Sequence, residues 1–499
     1  MAGIDINGVL PTRDGRVLSD EQQAIIDQPP TKTIVVEAAA GSGKTTTLVD
    51  YANKWSRLRG LYLAFNKDIA KEAQHRFPPW VRAQTVNSFA YQALGVSRYA
   101  SRLTGRINRQ TIRMAGIDLH NEYLTPDRTI RCIQQALTNF CNDGGTELKV
   151  EHCGLEKSPV STQTAMLPRI GAIVKRFLDY ENSGLPFTHD MYLKRLEMSG
   201  AIGDAHDYIM IDEAQDSNGV TLSLARKSGK PVIFIGDSKQ SIYAFRGAVN
   251  AMTLVEGERF PLSMSWRFGQ QLADLCNHVL SFSDAPPAVP IRGREDRETK
   301  IEMYQGKAPV RSFILSRTNA RLFEGLIAIP PKTPFFVAGG FDILAKQLTS
   351  AYHLSRNEQG KVTDPYVRGF SFWEDMLEES VEGDPDAKKL VKIVKEYGDQ
   401  IPGIIERLRG EQRPHHQDAK VLLSTAHKAK GLEADSVIVL DDFPTLKELQ
   451  ARLLDNKLSQ MDYEQEINLL YVAVSRAKHR LLLAPSLYEE VAHVIGGNQ

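Results

Sequence analysis

Thr33-Ile34-Val35-Val36-Glu37-Ala38-Ala39-Ala40-Gly41-Ser42-Gly43-Lys44-Thr45-Thr46 is the stretch on which the fold turns. It opens as a short apolar run, passes through small residues and enters a helix-like segment, TTLVDYANKW. An apolar run without alternation predicts a strand buried on both faces, as in parallel sheets. The small residues let backbone N–H groups wrap a phosphate, and the positive end of the next helix faces it. The general phosphate-loop pattern is GxxxxGK[ST]; Ala38 takes the first glycine place, and Gly43, Lys44 and Thr45 fill the rest. Ala38, Ala39, Ala40, Gly41, Ser42, Gly43, Lys44, Thr45 and Thr46 are therefore the candidate cradle for the phosphates of ATP. Lys44 is expected on the β and γ oxygens and the Thr45 hydroxyl on Mg2+.

The same arrangement recurs along the chain. Leu61 to Phe65 runs into NKD, Tyr208 to Ile211 into DEAQD, and Val232 to Ile235 into GDSKQS. Further on, Phe313 to Leu315 precedes SRTN, Val421 to Leu423 precedes STAHKAKG, and Val437 to Leu440 precedes DD. The polar clusters then sit at the carboxyl ends of strands, where open α/β sheets bind ligands. Two groups of strands, before and after about residue 262, predict an α/β protein with two parallel sheets flanked by helices. A strand ending in Asp212-Glu213 downstream of a phosphate loop delivers Asp212 to the Mg2+ shell and Glu213 to the attacking water as general base. Arg267 in SMSWRFG and Arg476 in YVAVSRAKHR are the candidates to stabilise charge on the γ-phosphate. If both reach the ATP, it is bound in a cleft between the two halves.

Between about 96 and 195 the apolar spacing turns helical, in TIRCIQQALTNF and RIGAIVKRFLDYE, and strand runs stop. This predicts a helical insertion in the first α/β domain. Residues 341–415 are also helix-like and predict a smaller insertion in the second. Charged residues at 24% and hydrophobic ones at 42% exclude a mainly disordered or fibrous chain. Lys plus Arg and Asp plus Glu each number 61, so any polyanion must be held by a local groove rather than a global field. Four cysteines, Cys132, Cys141, Cys153 and Cys276, do not make a disulfide framework and fit a reducing compartment. Three of them fall near His152, but without the paired spacing of a zinc site. The first residues, MAGIDINGVLPTRDG, lack the basic start and apolar core of a signal peptide. No apolar run approaches the roughly 18 residues of a membrane span. A cytoplasmic protein without membrane contact is expected.

With these strings in view, the chain resembles superfamily 1A DNA helicases, the UvrD/Rep group. They occur in family order: LSDEQQA with Gln22, AAAGSGKTT, LAFNK, TVNSFA, IDEAQD, IGDSKQSIYAFRGA, LSMSWRFG, LSRTN, STAHKAKGLEADSV and LLYVAVSRAKHR. AFNK, QSIYAFRGA, WRFG and HKAKG look most like the F-box DNA helicase type. Fewer than twenty residues precede the Gln22 motif, so no F-box is expected. The resemblance implies two RecA-like domains: 1A at 1–95 and 196–262, and 2A at 263–340 and 416–499. Insertion 1B would be 96–195 and a reduced 2B-like insertion 341–415. It implies that Gln22 hydrogen-bonds adenine, Trp266 stacks on it, Glu433 contacts the ribose, and Gln240 senses the γ-phosphate. Arg267 and Arg476 match the family's arginine fingers.

For DNA, the resemblance implies a single-strand track along Phe65, Asn66, Thr85, Tyr243, Phe245, Arg246, Arg317, Asn319 and His427. Base stacking on aromatic faces is sequence-tolerant, which suits such a track. Phe65 also fits a strand-end core residue, His427 a satisfied buried histidine and Trp266 a core aromatic. Asn87 stands where the family usually has His. The implied activity is an ATP-driven 3′–5′ helicase or translocase on single-stranded and tailed duplex DNA, in repair, recombination or replication. The alternatives are a translocase that strips proteins with little unwinding, an RNA-directed superfamily 1 motor and a decayed binding module. The last is disfavoured by Lys44, Thr45, Asp212, Glu213, Gln240, Arg267 and Arg476 all being present.

Overall fold

The structure, a computed structural model, describes residues 18–64, 66–200, 205–242, 250–306, 311–382 and 384–495. The chain divides into two compact units, Met1–Ser263 and Met264–Gln499.

The first unit is built on a six-stranded, all-parallel sheet. Its strands are β1 (Ile34–Ala38), β2 (Gly60–Ala64), β3 (Val81–Thr85), β4 (Tyr208–Ile211), β5 (Val232–Gly236) and β6 (Glu258–Leu262), in the order β3-β2-β4-β5-β1-β6. Successive side chains of a strand point to opposite faces, and here both faces are covered. Ile34, Val36, Tyr62, Tyr208, Met210, Ile233 and Ile235 pack into one core, while Val35, Leu61, Leu63, Ile209, Ile211 and Phe234 pack into another. That is why these strands read as unbroken apolar runs. The edge strands are less apolar: β6 has two exposed residues and carries Pro261, which an edge tolerates because one side of the ladder needs no donor.

Residues 96–199 contain helices and no strands. Helix Pro126–Asn142 begins at the Thr125 cap with a proline in its first turn, and buries Ile130, Ile133, Leu137 and Phe140 along one stripe. Helices Val160–Leu178 and His189–Ser199 share that core, and so do Val220 and Leu224 of helix Gly219–Lys227. The helical region is thus packed on the segment that follows β4. Cys132, Cys141 and Cys153 lie inside this core as free, buried thiols, and burial pushes Cys153 up to about 12. His152 is held by the backbone N–H of Lys149 at 2.9 Å and by Asp143 at 3.2 Å.

The second unit repeats the plan. Strands β7 (Met264–Gly269) and β8 (Arg292–Arg294) pair with each other. Then β9 (Lys300–Met303), β10 (Ser312–Ser316), β11 (Phe335–Val337), β12 (Val421–Thr425), β13 (Ala434–Val439) and β14 (Ala477–Leu483) form a second parallel sheet in the order β11-β12-β10-β13-β14-β9. The two parallel sheets are the α/β class expected from the apolar runs. Helices Phe341–Ser355, Trp373–Glu382, Pro385–Tyr397 and Ile401–Glu411 lie between β11 and β12 in sequence. They share one core with helix Asn319–Ala328, with Phe335 and Val337 of β11 and with Leu423 of β12.

Candidate nucleotide site

The loop after β1 is shaped by two glycines. Gly41 and Gly43 sit at φ 73° and 82°, in the left-handed region that costs a glycine nothing, and Gly43 caps helix Lys44–Lys54. The loop is pinned by Ala39 N–H donating to Leu262 O at 2.8 Å and by Thr47 N–H donating to Gly43 O at 2.9 Å. The Ser42 hydroxyl is buried and has no hydrogen-bond partner among the described residues. An unmade bond of that kind costs about 1–3 kcal/mol, which a ligand oxygen would recover.

β4 runs next to β2 and β5, and it delivers two acids to this loop. The Thr45 hydroxyl donates to Asp212 Oδ2 at 3.0 Å, and the Tyr62 hydroxyl donates to the same oxygen at 2.6 Å. Glu213 N–H donates to Asp212 Oδ1 at 2.8 Å. Burial, then the adjoining Glu213 carboxylate, push the Asp212 carboxyl above its ordinary range; Tyr62 and Lys44 oppose this without cancelling it. Lys44 Nζ stands 3.8 Å from Glu213 Oε1. Hard oxygen donors, Thr45 and a carboxylate whose charge is destabilised by burial, fit Mg2+, which takes one or two carboxylates and completes its shell with phosphate and water. Glu213 itself is held at φ 50°, a left-handed conformation rare for a residue with a side chain.

Gln22 lies at the edge of the site. It closes a capping box with Ser19, and its amide donates to Thr47 Oγ1 at 3.0 Å, which orients the amide and leaves one N–H and one oxygen lone pair for a ligand. At the end of β5, Gln240 Nε2 donates to Asp237 Oδ2 at 2.7 Å. Ala38, Ala39, Ala40, Gly41, Ser42, Gly43, Lys44, Thr45, Thr46, Asp212, Glu213 and Gln240 thus all belong to the carboxyl edge of one sheet. Three partners had no signal in the motif spacing: Tyr62, in the interior of β2; Gln215, whose side chain is entirely buried; and Glu37, whose Oε1 accepts from Ser238 N–H at 2.8 Å. Tyr62 and Glu37 are strand residues whose partners come from distant sequence, and Gln215 joins its neighbour Glu213 to Asp237, 22 residues further on.

The second unit holds Trp266, Arg267, Glu433 and Arg476. Arg267 Nε donates to Glu433 Oε2 at 2.8 Å and Nη1 to Ser475 O at 2.8 Å. Lys478 pairs with the other Glu433 oxygen at 2.7 Å. Burial opposes the Glu433 charge, but Arg267 and Lys478 outweigh it and hold its carboxyl below the usual range. Arg476 is only 1% exposed; its guanidinium donates to Val472 O at 2.8 Å and to Ser475 Oγ at 2.9 Å. Trp266 is half-buried, with the Arg294 guanidinium 5.9 Å from its ring centre.

Of the strand-track candidates, Phe65, Tyr243, Phe245 and Arg246 lie outside the described residues. Asn66 and Thr85 are helix caps at the ends of β2 and β3: Asn66 Oδ1 accepts from Ile69 N–H at 2.9 Å, and Thr85 Oγ1 from Ser88 N–H at 3.0 Å. Asn87 is the second residue of helix Val86–Ala93, and its Oδ1 is buried without a partner among the described residues. Arg317 is engaged by Glu466 through Nε at 2.7 Å. Asn319 begins the helix capped by Thr318, and His427 is half-buried in the short helix Ala426–Ala429 after β12.

The fold and the loop after β1 fit a phosphate-loop protein, and sequence comparison finds helicase matches in both halves. Residues 161–261 match the UvrD/REP helicase N-terminal domain and residues 347–488 the UvrD-like helicase C-terminal domain, one match in each half of the chain. It is similar to the F-box DNA helicase 1 of Gallus gallus, 27% identical over 94% of this chain and 49% of that protein. It is also similar to the F-box DNA helicase protein 1 of Schizosaccharomyces pombe, 27% identical over 93% of this chain and 57% of that one. A probable DNA helicase II homolog of Mycoplasma genitalium is 24% identical over 49% of this chain and 40% of its own length. The chain spans about half the length of the curated relatives it matches. Among the described residues, no helix is long and apolar enough to cross a membrane.

Proposed function

We propose that the chain is an ATP-dependent DNA helicase or single-stranded DNA translocase moving 3′ to 5′. The observation that carries this is the meeting of Lys44, Thr45, Asp212 and Glu213 at the end of one parallel sheet, in a chain whose two halves each match a UvrD-like helicase domain. The β and γ phosphates of ATP lie in the Gly41–Thr46 loop against Lys44. Thr45 and Asp212 would hold Mg2+, which would supply neutralisation of phosphate charge. Glu213 takes the proton of the attacking water, with its carboxylate aimed by the left-handed turn at that residue. Gln22 and Trp266 are assigned to adenine, Glu433 to the ribose, Gln240 to sensing the γ-phosphate, and Arg267 and Arg476 to stabilising its charge. Asn66, Thr85, Arg317, Asn319 and His427, with Phe65, Tyr243, Phe245 and Arg246, are assigned to the DNA strand. The four buried thiols suit the reducing cytoplasm.

ATP hydrolysis measured with and without oligo(dT) tests the motor, and a partial duplex with a 3′ tail against one with a 5′ tail tests polarity. Stimulation by DNA and unwinding from the 3′ tail are expected. No turnover with any nucleic acid would overturn the proposal. Stimulation without unwinding would select the protein-stripping translocase, and stimulation by RNA alone the RNA-directed motor.

A further inference from the structure

We infer that Gln215 is a positioning residue that aims Glu213 and binds it mechanically to the Asp237–Gln240 loop; the inference rests on the proposed ATP hydrolysis and deepens it. Gln215 is fully buried, and both ends of its amide are used. Nε2 donates to Glu213 Oε2 at 2.6 Å, and Oε1 accepts from Asp237 N–H at 3.0 Å. Both bonds can form only with the amide in this one orientation. Its backbone carbonyl also accepts from the Ser241 hydroxyl at 3.3 Å. Asp237 in turn holds Gln240, so a continuous chain of hydrogen bonds runs from Glu213 through Gln215 and Asp237 to Gln240.

The neighbouring backbone has been shaped around this amide. A Cβ on Gly236 would meet Gln215 Oε1 at 2.2 Å, well inside contact distance, so only glycine at the end of β5 leaves the amide its place. Glu213 cannot relax alone, because its left-handed backbone fixes where the side chain starts while Gln215 fixes where it ends. A general base must lie within hydrogen-bond reach of the water it deprotonates, and a carboxylate free to swing loses that geometry. Gln215 touches neither phosphate nor water in this scheme; it acts through Glu213.

The test uses two variants of the full chain. Gln215→Leu removes both amide bonds with little change of volume. Gly236→Ala leaves Gln215 in the sequence and displaces it through the close contact. Equilibrium binding of a fluorescent ADP is measured alone and with aluminium fluoride, which mimics the transferring phosphoryl group, and ATP hydrolysis is measured alongside. In both variants ADP affinity and the KM for ATP are expected to stay within about threefold, while kcat falls about tenfold or more and the affinity gain from aluminium fluoride shrinks by a similar factor. An unchanged kcat and an unchanged gain would overturn the inference. So would a loss of ADP binding equal to the loss of turnover, or loss of cooperative melting in both variants, since either makes Gln215 a requirement of the fold. A wild-type chain that binds no ADP would instead defeat the nucleotide reading itself.

Discussion

Lys44 and Asp212 differ in what their loss should do. The Lys44 side chain is only 12% exposed, and among the described residues it pairs with Glu213 at 3.8 Å, longer than a hydrogen bond. Lys44→Ala is therefore expected to abolish ATP turnover and leave the melting midpoint within a few degrees; retained turnover would remove the phosphate loop from the site. Asp212 is buried and accepts from three donors, Thr45, Tyr62 and the Glu213 N–H. Of these, the Tyr62 hydroxyl is the one that can be deleted without touching the loop. A hydrogen bond to a charged group contributes about 1.5–3 kcal/mol. Tyr62→Phe keeps the ring in its core and is expected to raise the Mg2+ concentration needed for half-maximal turnover at least severalfold. An unchanged Mg2+ requirement would show that Thr45 and the backbone suffice to orient the carboxylate.

Between elements, a buried polar cluster joins helix His189–Ser199 to helix Gly219–Lys227. Lys194 and Glu197 are both entirely buried and 3.1 Å apart, and Glu197 also accepts from Ser223 at 2.6 Å and pairs with Lys227 at 2.5 Å. Asn218 donates to Asn142 at 2.8 Å beside it. Helix Gly219–Lys227 starts directly after DEAQD, so this tie fixes the helical region to the segment that carries the two acids. Removing one partner of a buried pair strands the other, at about 3–5 kcal/mol. Because Lys227 remains for Glu197, Lys194→Met is expected near the lower end, about 3 kcal/mol, read from denaturant unfolding. A change within experimental scatter would mean that Lys227 alone neutralises Glu197.

At the scale of the molecule, pH and salt are the informative variables. His152, His206 and His278 are each held below the ordinary 6.5, first by burial. A histidine with a depressed folded pKa favours its neutral form in the native state. The unfolded chain therefore binds more protons below pH 6.5, and stability present above that value is lost as pH falls through it. The melting midpoint is expected to drop steadily from about pH 7.5 to about pH 5.5; a rising midpoint would contradict the burial of these rings. Net charge is zero, so the proposed binding of DNA must rest on locally placed cations. Binding to oligo(dT) is then expected to weaken linearly in log Kd against log salt, with a slope set by the few phosphates contacted. A salt-independent Kd would argue against phosphate contact.

The two buried sheets, the phosphate loop and the acids after β4 were legible in the sequence. Strands covered on both faces must be continuous apolar runs, and a phosphate loop must be small, flexible residues ahead of a lysine. The edge strands β3, β6, β9 and β11 were not legible, because a half-exposed strand such as Glu258–Leu262 lacks that run. Nor were Tyr62, Gln215 and Glu37 as partners of the site. Tyr62 is separated from Asp212 by 150 residues, and Glu37 from Ser238 by 201, so only the parallel register of β1, β2, β4 and β5 brings them together. Local chemistry specified which groups could meet a phosphate; strand pairing across the whole first unit settled which side chains hold those groups in place.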